Sequence, residues 1–275
     1  MDQLNLFQWD MVAVSNGCQH LATLDFAAAR AHFARVLAAK PEHREAGRGL
    51  ADADFWEETL AEAAGQAGEQ AAPFLWRRIG EFPFADAEWG QALRKSLLRH
   101  LLAILNDWPD FYQPPDLCRG FLYLQLGEYR AAAAELRRLL VRQPENGRLW
   151  GYLGDALWSG RQGGAAEAYA RALLTAPHAV AVDAMRHADL VGLIREHGPE
   201  MAPVQGFLAG LLPLPELPEP AENRPRSKMV QICEIMRQAE EARHSGDDDR
   251  TITARRRLRE LSPETLRDYL AWLGK

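Results

Sequence analysis

The chain has 275 residues, 47% hydrophobic and 25% charged, with a formal net charge of −6. That length holds a substantial core in one or two domains, and the acidic balance gives no global field that draws nucleic acid. The charge is uneven: residues 1–225 are net −8, while residues 226–275, with 11 basic and 9 acidic side chains, are net +2.

Cys18, Cys118 and Cys233 stand far apart in an odd count. That is neither a zinc spacing nor a disulfide framework, and it fits a reducing compartment. The start, from Met1 to Met11, has no basic opening followed by a continuous apolar run, so no signal peptide is expected. The longest uncharged run, Met201 to Pro215, falls short of the ~20 residues a membrane span needs. The expectation is a cytoplasmic protein with no membrane association.

In chain order, two helices are expected from about Asp10 to Lys40. The first carries Met11, Val14 and Leu21 around Gly17; the turn is Leu24-Asp25, with Asp25 as N-cap. The second, Phe26 to Ala39, places Phe26, Ala29, Phe33, Val36 and Leu37 on one stripe and ends at Pro41. Residues 42–66 read as a further helical pair, and residues 65–71 as a loosened connection. A helix from Ala72 to Glu81 stops before Pro83. Asp86 is placed to cap a long helix, Ala87 to Asn106, whose broad leucine face suggests packing on two sides. An aromatic linker follows around Trp108, Phe111 and Tyr112.

Two clear hairpins come next: Asp116–Gly127 with Glu128–Arg142, then Gly147–Ser159 with Gly164–Ala176. Helices are expected at His178–Glu196 and Met201–Leu212. The stretch Pro213 to Pro220 reads as a stiff linker rather than a PxxP ligand, since Glu216 and Glu219 interrupt it. Lys228–Ser245, Arg250–Leu261 and Pro263–Leu273 close the chain as helices. Ser262-Pro263-Glu264 is a strong start signal: N-cap, proline at the first position, acid in the first turn.

One pattern recurs at fixed spacing. Gly17, Ala29, Phe33 and Pro41 are matched by Gly120, Ala132, Leu136 and Pro144, with steps of twelve, four and eight residues in both copies. A third copy runs from Gly154, thirty-four residues after Gly120, to Pro177. A period near 34 marks stacked helical hairpins.

The pattern resembles the tetratricopeptide repeat (TPR) family. Trp150, Leu153, Gly154, Ala165, Tyr169, Ala172 and Pro177 carry the closest match, and Gly120, Tyr123, Ala132, Leu136 and Pro144 a second. Arg119 and Asn16 depart from the family by replacing the leucine before the motif glycine. The resemblance implies an all-α, right-handed superhelical solenoid with a C-terminal helical extension. The expected organisation is N-terminal hairpins over 1–66, repeats over 67–212 with the best at 116–177, a linker over 213–227 and a helical cap over 228–275.

The resemblance also implies a concave groove lined by positions three before, one after and four after each motif glycine. These are Val14, Cys18 and Leu21; Leu117, Phe121 and Leu124; and Gly151, Asp155 and Trp158. Six of the nine are sizeable and apolar, which suits a hydrophobic or amphipathic segment. The chain's own C-terminal helices are a possible occupant. TPR proteins that grip chaperone C-termini place Lys and Asn where Val14 and Cys18 stand here, so that specificity is not expected. Phe121, Leu124, Asp155 and Trp158 are the expected main contacts.

The alternative to a protein-binding scaffold is a nucleic-acid-associated regulator using Arg255, Arg256, Arg257 and Arg259. A solvated helix face balanced by Glu260, Glu264 and Asp247–Asp249 is the plainer account of that cluster. The eight histidines show no metal-ligand pairing, and no phosphate-binding, dinucleotide or nucleophile motif appears. Cys18 has no adjacent base. No catalytic residue, cofactor or metal is expected.

Overall fold

A computed structural model describes residues 8–217 and 226–274. Residues 218–225 of the expected 213–227 linker therefore lie outside the described residues. The described chain is all-helical and packs neighbour to neighbour, apart from one very short hairpin. It divides into two compact units, Met1–Leu122 and Tyr123–Lys275.

The first unit opens with α1 (Trp9–Ala22) and α2 (Phe26–Ala39). Asp25 accepts from the Ala28 amide at 3.2 Å, as an N-cap should. Leu24 turns the corner at φ 64°. Phe33 is fully buried between two glycines: a Cβ on Gly17 would lie 2.6 Å from its ring, and one on Gly49 only 2.4 Å. The motif glycine is thus the floor on which the motif aromatic lies.

Residues 42–66 form one helix rather than the expected pair: α3 runs unbroken from Arg44 to Ala64. Gly49 lies inside this helix and leaves room for the Phe33 ring. The helix α4 begins earlier than expected, at Gly68, carries Pro73 inside it and ends at Glu81 before Pro83. The chain then folds back on α3, placing Phe82 and Phe84 against Trp56 with ring centroids 4.8 and 5.8 Å away. The long helix α5 spans Glu88–Ile104; Ala87, not Asp86, is its N-cap and makes no side-chain cap bond. It packs on both α1 and α4. The aromatic linker continues into an antiparallel pair, β1 (Tyr112–Gln113) with β2 (Leu117–Cys118), around a cis Pro114-Pro115 bond.

The boundary between the units falls inside α6 (Arg119–Leu126), which starts three residues later than the expected Asp116. In the second unit α7 (Tyr129–Arg142) packs on α8 (Gly147–Ser159), and α8 on α9 (Ala165–Thr175). A Cβ on Gly154 would lie 2.5 Å from the Tyr169 ring. This repeats the relation of Gly17 to Phe33.

The helix expected over His178–Glu196 is not continuous. Residues 177–187 form two single 3₁₀ turns, Pro177–Ala179 and Val182–Ala184, and only Ala188–His197 is α-helix (α10). Side-chain capping explains the late start: His187 Nδ1 accepts from the Leu190 amide at 3.4 Å. The short α11 (Ala202–Leu208) follows.

The last three helices, α12 (Lys228–Ser245), α13 (Asp248–Leu261) and α14 (Pro263–Leu273), are capped by Ser227, Asp247 and Ser262. Ile232, Met236, Leu258 and Tyr269 share a core with Leu174 of α9 and Val204 of α11. The C-terminal helices thus cover the end of the repeats at α9. Unmatched terminal repeats need such a cover, because their apolar face would otherwise meet water.

Candidate functional site

The positions expected to line a groove are mostly buried. In the first unit Val14, Cys18 and Leu21 are 6%, 7% and 0% exposed. The cause is packing of α1 by α2, α3 and α5 together, with Ser96 of α5 donating to the Ala22 carbonyl at 2.6 Å. Burial, reinforced by Glu45 and Asp52, pushes the Cys18 thiol up to about 11. A thiol so shifted holds little thiolate at neutral pH and is a poor nucleophile.

Leu117 and Phe121 are buried in the same unit. Leu117 belongs to β2 rather than a helix, and the Phe121 ring stands edge-on to Trp76 at 6.0 Å. In the second unit Leu124 is buried and Asp155 is 4% exposed, whereas Trp158 is 47% exposed. The expected exposure therefore holds for Trp158 and not for Val14, Cys18, Leu21, Leu117, Phe121, Leu124 or Asp155. The family resemblance implied these groove positions from their offsets to the motif glycines; such offsets carry no information about which later element of this chain covers them.

On α8 the covering element is the strap 177–187. The stripe Arg148, Gly151, Asp155 and Trp158 has the i, i+3/i+4 spacing of one helix face. Each of its members meets the strap. Arg148 Nη1 donates to the Ala179 carbonyl at 3.3 Å. Gly151 leaves room for Val180, whose Cγ1 would lie 3.5 Å from a Cβ there. Asp155 Oδ1 accepts from the Arg186 amide at 2.8 Å and from the Tyr169 hydroxyl at 2.7 Å. Trp158 stacks on His187 with centroids 3.9 Å apart.

Arg186 then reaches over the hairpin. Its guanidinium donates to the Tyr129 hydroxyl at 3.0 Å, to Ser159 Oγ at 3.5 Å and to the Leu124 carbonyl at 3.3 Å, and it lies 5.3 Å from the Tyr129 ring centre. Leu124 sits in the last turn of α6, where exposed carbonyls favour a cation. No sequence signal marked Arg186 or Tyr129, since both act across the chain rather than along it.

Burial pushes the Asp155 carboxyl up to about 6, against the opposing pull of the Arg186 amide, the Tyr169 hydroxyl and the Arg186 charge. Burial also raises the Tyr169 phenol, and the neighbouring carboxylate raises it further. The pair resembles acid–base machinery in its shifts but not in its access, since both groups are buried and bonded to each other.

The arginine cluster is divided. Arg257 donates to Gln238 at 3.1 Å, Arg255 is half-buried near Tyr269, and Arg256 and Arg259 are exposed. Among the described residues no group of His, Cys, Asp or Glu could hold a metal ion. No described helix is long and apolar enough to cross a membrane.

Residues 119–180 match the family model for the tetratricopeptide repeat. The chain contains tetratricopeptide repeats, and these are helical modules that in general mediate protein–protein interaction. No curated protein and no solved structure matches the chain.

Proposed function

We propose that this protein is a non-catalytic interaction scaffold, an adaptor or assembly factor of the cytoplasm, that docks a hydrophobic or amphipathic segment of a partner protein on its repeats. Trp158 carries the reading. It occupies a groove position of the best-matched repeat, its ring is fixed against His187, and 47% of the residue stays open to water. A rigid, half-exposed tryptophan on a buried helix is the kind of anchor that dominates binding energy at interfaces. Asp155, through the Arg186 amide, and Leu124, through its carbonyl, hold Arg186, the residue before the His187 ring that stacks on Trp158.

The experiment is affinity capture from the native cell with the full chain and with Trp158→Ala, after far-UV circular dichroism has shown equal helix content. Loss of the specifically captured proteins in the variant supports the reading. Retention of every one of them ends it.

A further inference from the structure

The strap 177–187 has the properties of a ligand more than those of a packed element. It is neither α-helix nor strand, and its own backbone bonds span only short turns, such as Val182 to Val180 and Met185 to Val182. Val180 and Met185 are its buried apolar anchors, while Asp183 and Ala184 face solvent. The rest of its attachment is a buried His187 ring on Trp158, exposed ion pairs of His178 with Glu200 and Asp183 with Arg195, and directed bonds through the Ala179 carbonyl, the Arg186 amide and the Arg186 guanidinium. An irregular segment of turns held on a helical face by buried anchor side chains and a few directed bonds resembles the way peptides are read by grooves.

The place taken by Arg186 is specific for a cation with a planar fork. Three acceptors from α6, α7 and α8 converge on it: the Leu124 carbonyl, the Tyr129 hydroxyl and Ser159 Oγ. A ring face lies beside it, the helix end supplies negative potential, and the Asp155 carboxylate stands next to its backbone. The next residue of the strap lays a flat imidazole on Trp158.

Resting on the docking reading above, we propose that residues 177–187 are a displaceable strap, and that the partner segment carries an arginine into the place of Arg186 with a flat ring beside it on Trp158. The strap is tethered at both ends and so competes at high effective concentration. The partner's apparent affinity falls by the fraction of chains in which the face is closed. The face is therefore guarded until a segment of matching chemistry, or a change that loosens Arg186, opens it.

The probe is a fluorescent peptide with the sequence of residues 177–188, titrated against the full chain, Arg186→Ala and Arg186→Gln, each first checked for helix content. The expected result is binding to the variants about tenfold or more tighter than to the natural chain. A peptide with its arginine replaced by alanine should bind none of them. Equal binding to all chains, binding without the arginine, or no binding to any chain overturns the proposal.

Hydrogen exchange supplies a readout that needs no ligand. Amides of residues 180–187 should exchange about tenfold or more faster in Arg186→Ala, with α8 and α9 unchanged. Equal loosening of α8 and α9 would make the strap an ordinary part of the core and overturn the proposal. This measurement fails or succeeds independently of the Trp158→Ala capture, so the strap and the docking site can be lost separately.

Discussion

In α1 the stripe Val14, Cys18 and Leu21 disappears beneath regular helices; in α8 Gly151 and Asp155 lie beneath an irregular strap that leaves Trp158 47% exposed. Both helices carry the same motif, a glycine that admits an aromatic ring of the paired helix. The difference lies in what closes the other side. Helix on helix buries continuous apolar area, which is worth about 25 cal/mol per Å² and is lost only by unfolding. A strap held by Val180, Met185, the His187 ring and the bonds of Arg186 has no regular secondary structure and leaves Asp183 and Ala184 exposed, and local opening draws on such irregular, polar-bonded segments. The same repeat thus gives a sealed core in one place and an openable face in another.

The largest effect should fall on the sealed side. Leu21 has no exposed surface, and Leu21→Ala should cost about 2–5 kcal/mol in chemical denaturation. Met185→Ala in the strap, where some of the covering element faces solvent, should cost clearly less. Equal costs at the two positions would erase the distinction between core and strap.

Next in size is the pH dependence that Asp155 imposes on the second unit. Its folded pKa is raised to about 6, above the usual carboxylate value near 4. Between those values the folded chain binds a proton that the unfolded chain does not. The contribution is therefore fully present below about pH 4 and is lost as pH rises through about 6, by on the order of 1–3 kcal/mol. The natural chain should gain stability relative to Asp155→Asn as pH falls across that window. An opposite slope, or parallel curves for the two proteins, would show that Asp155 is not buried as a charge.

The motif glycines should behave alike in the two regions. Gly17→Ala and Gly154→Ala each drive a Cβ to within 2.6 Å of an aromatic ring, and each should cost about 1–3 kcal/mol from overpacking. Thermal melts of the two variants measure this. A large inequality would mean that Phe33, which also presses on Gly49, or Tyr169, which also bonds Asp155, relaxes differently.

The sequence makes these shared features legible because their signals are local. Asp25 and Ser262 cap helices three residues away, and each copy of the Gly–Ala–large apolar–Pro spacing lies within one hairpin. The continuous α3 and the strap were not legible, because their causes are distant. Gly49, inside α3, is needed only because Phe33 of another helix packs onto it. Val182 and Met185 have the i, i+3 spacing of a helix face, yet Asp155, thirty-one positions before Arg186, holds the Arg186 amide instead. The family resemblance implied one groove face of Gly151, Asp155 and Trp158, and only the tertiary structure shows that the chain itself lies against it.

The smallest effect on stability should come from the residue proposed to matter most for binding. Trp158 is 47% exposed, and its main aromatic contact is His187. Aromatic pairs of this kind are worth about 0.5–1.5 kcal/mol beyond their area, so Trp158→Ala should lower stability by no more than roughly that amount. Leu21 and Trp158 occupy the same position relative to their motif glycines, four residues on. Their substitutions should therefore separate cleanly in urea titrations: a large loss for the leucine and a small one for the tryptophan, with binding affected only through the tryptophan. If Trp158→Ala destabilises the chain as much as Leu21→Ala does, its ring is a structural plug for the strap. Its half-exposure would then be incidental to partner docking.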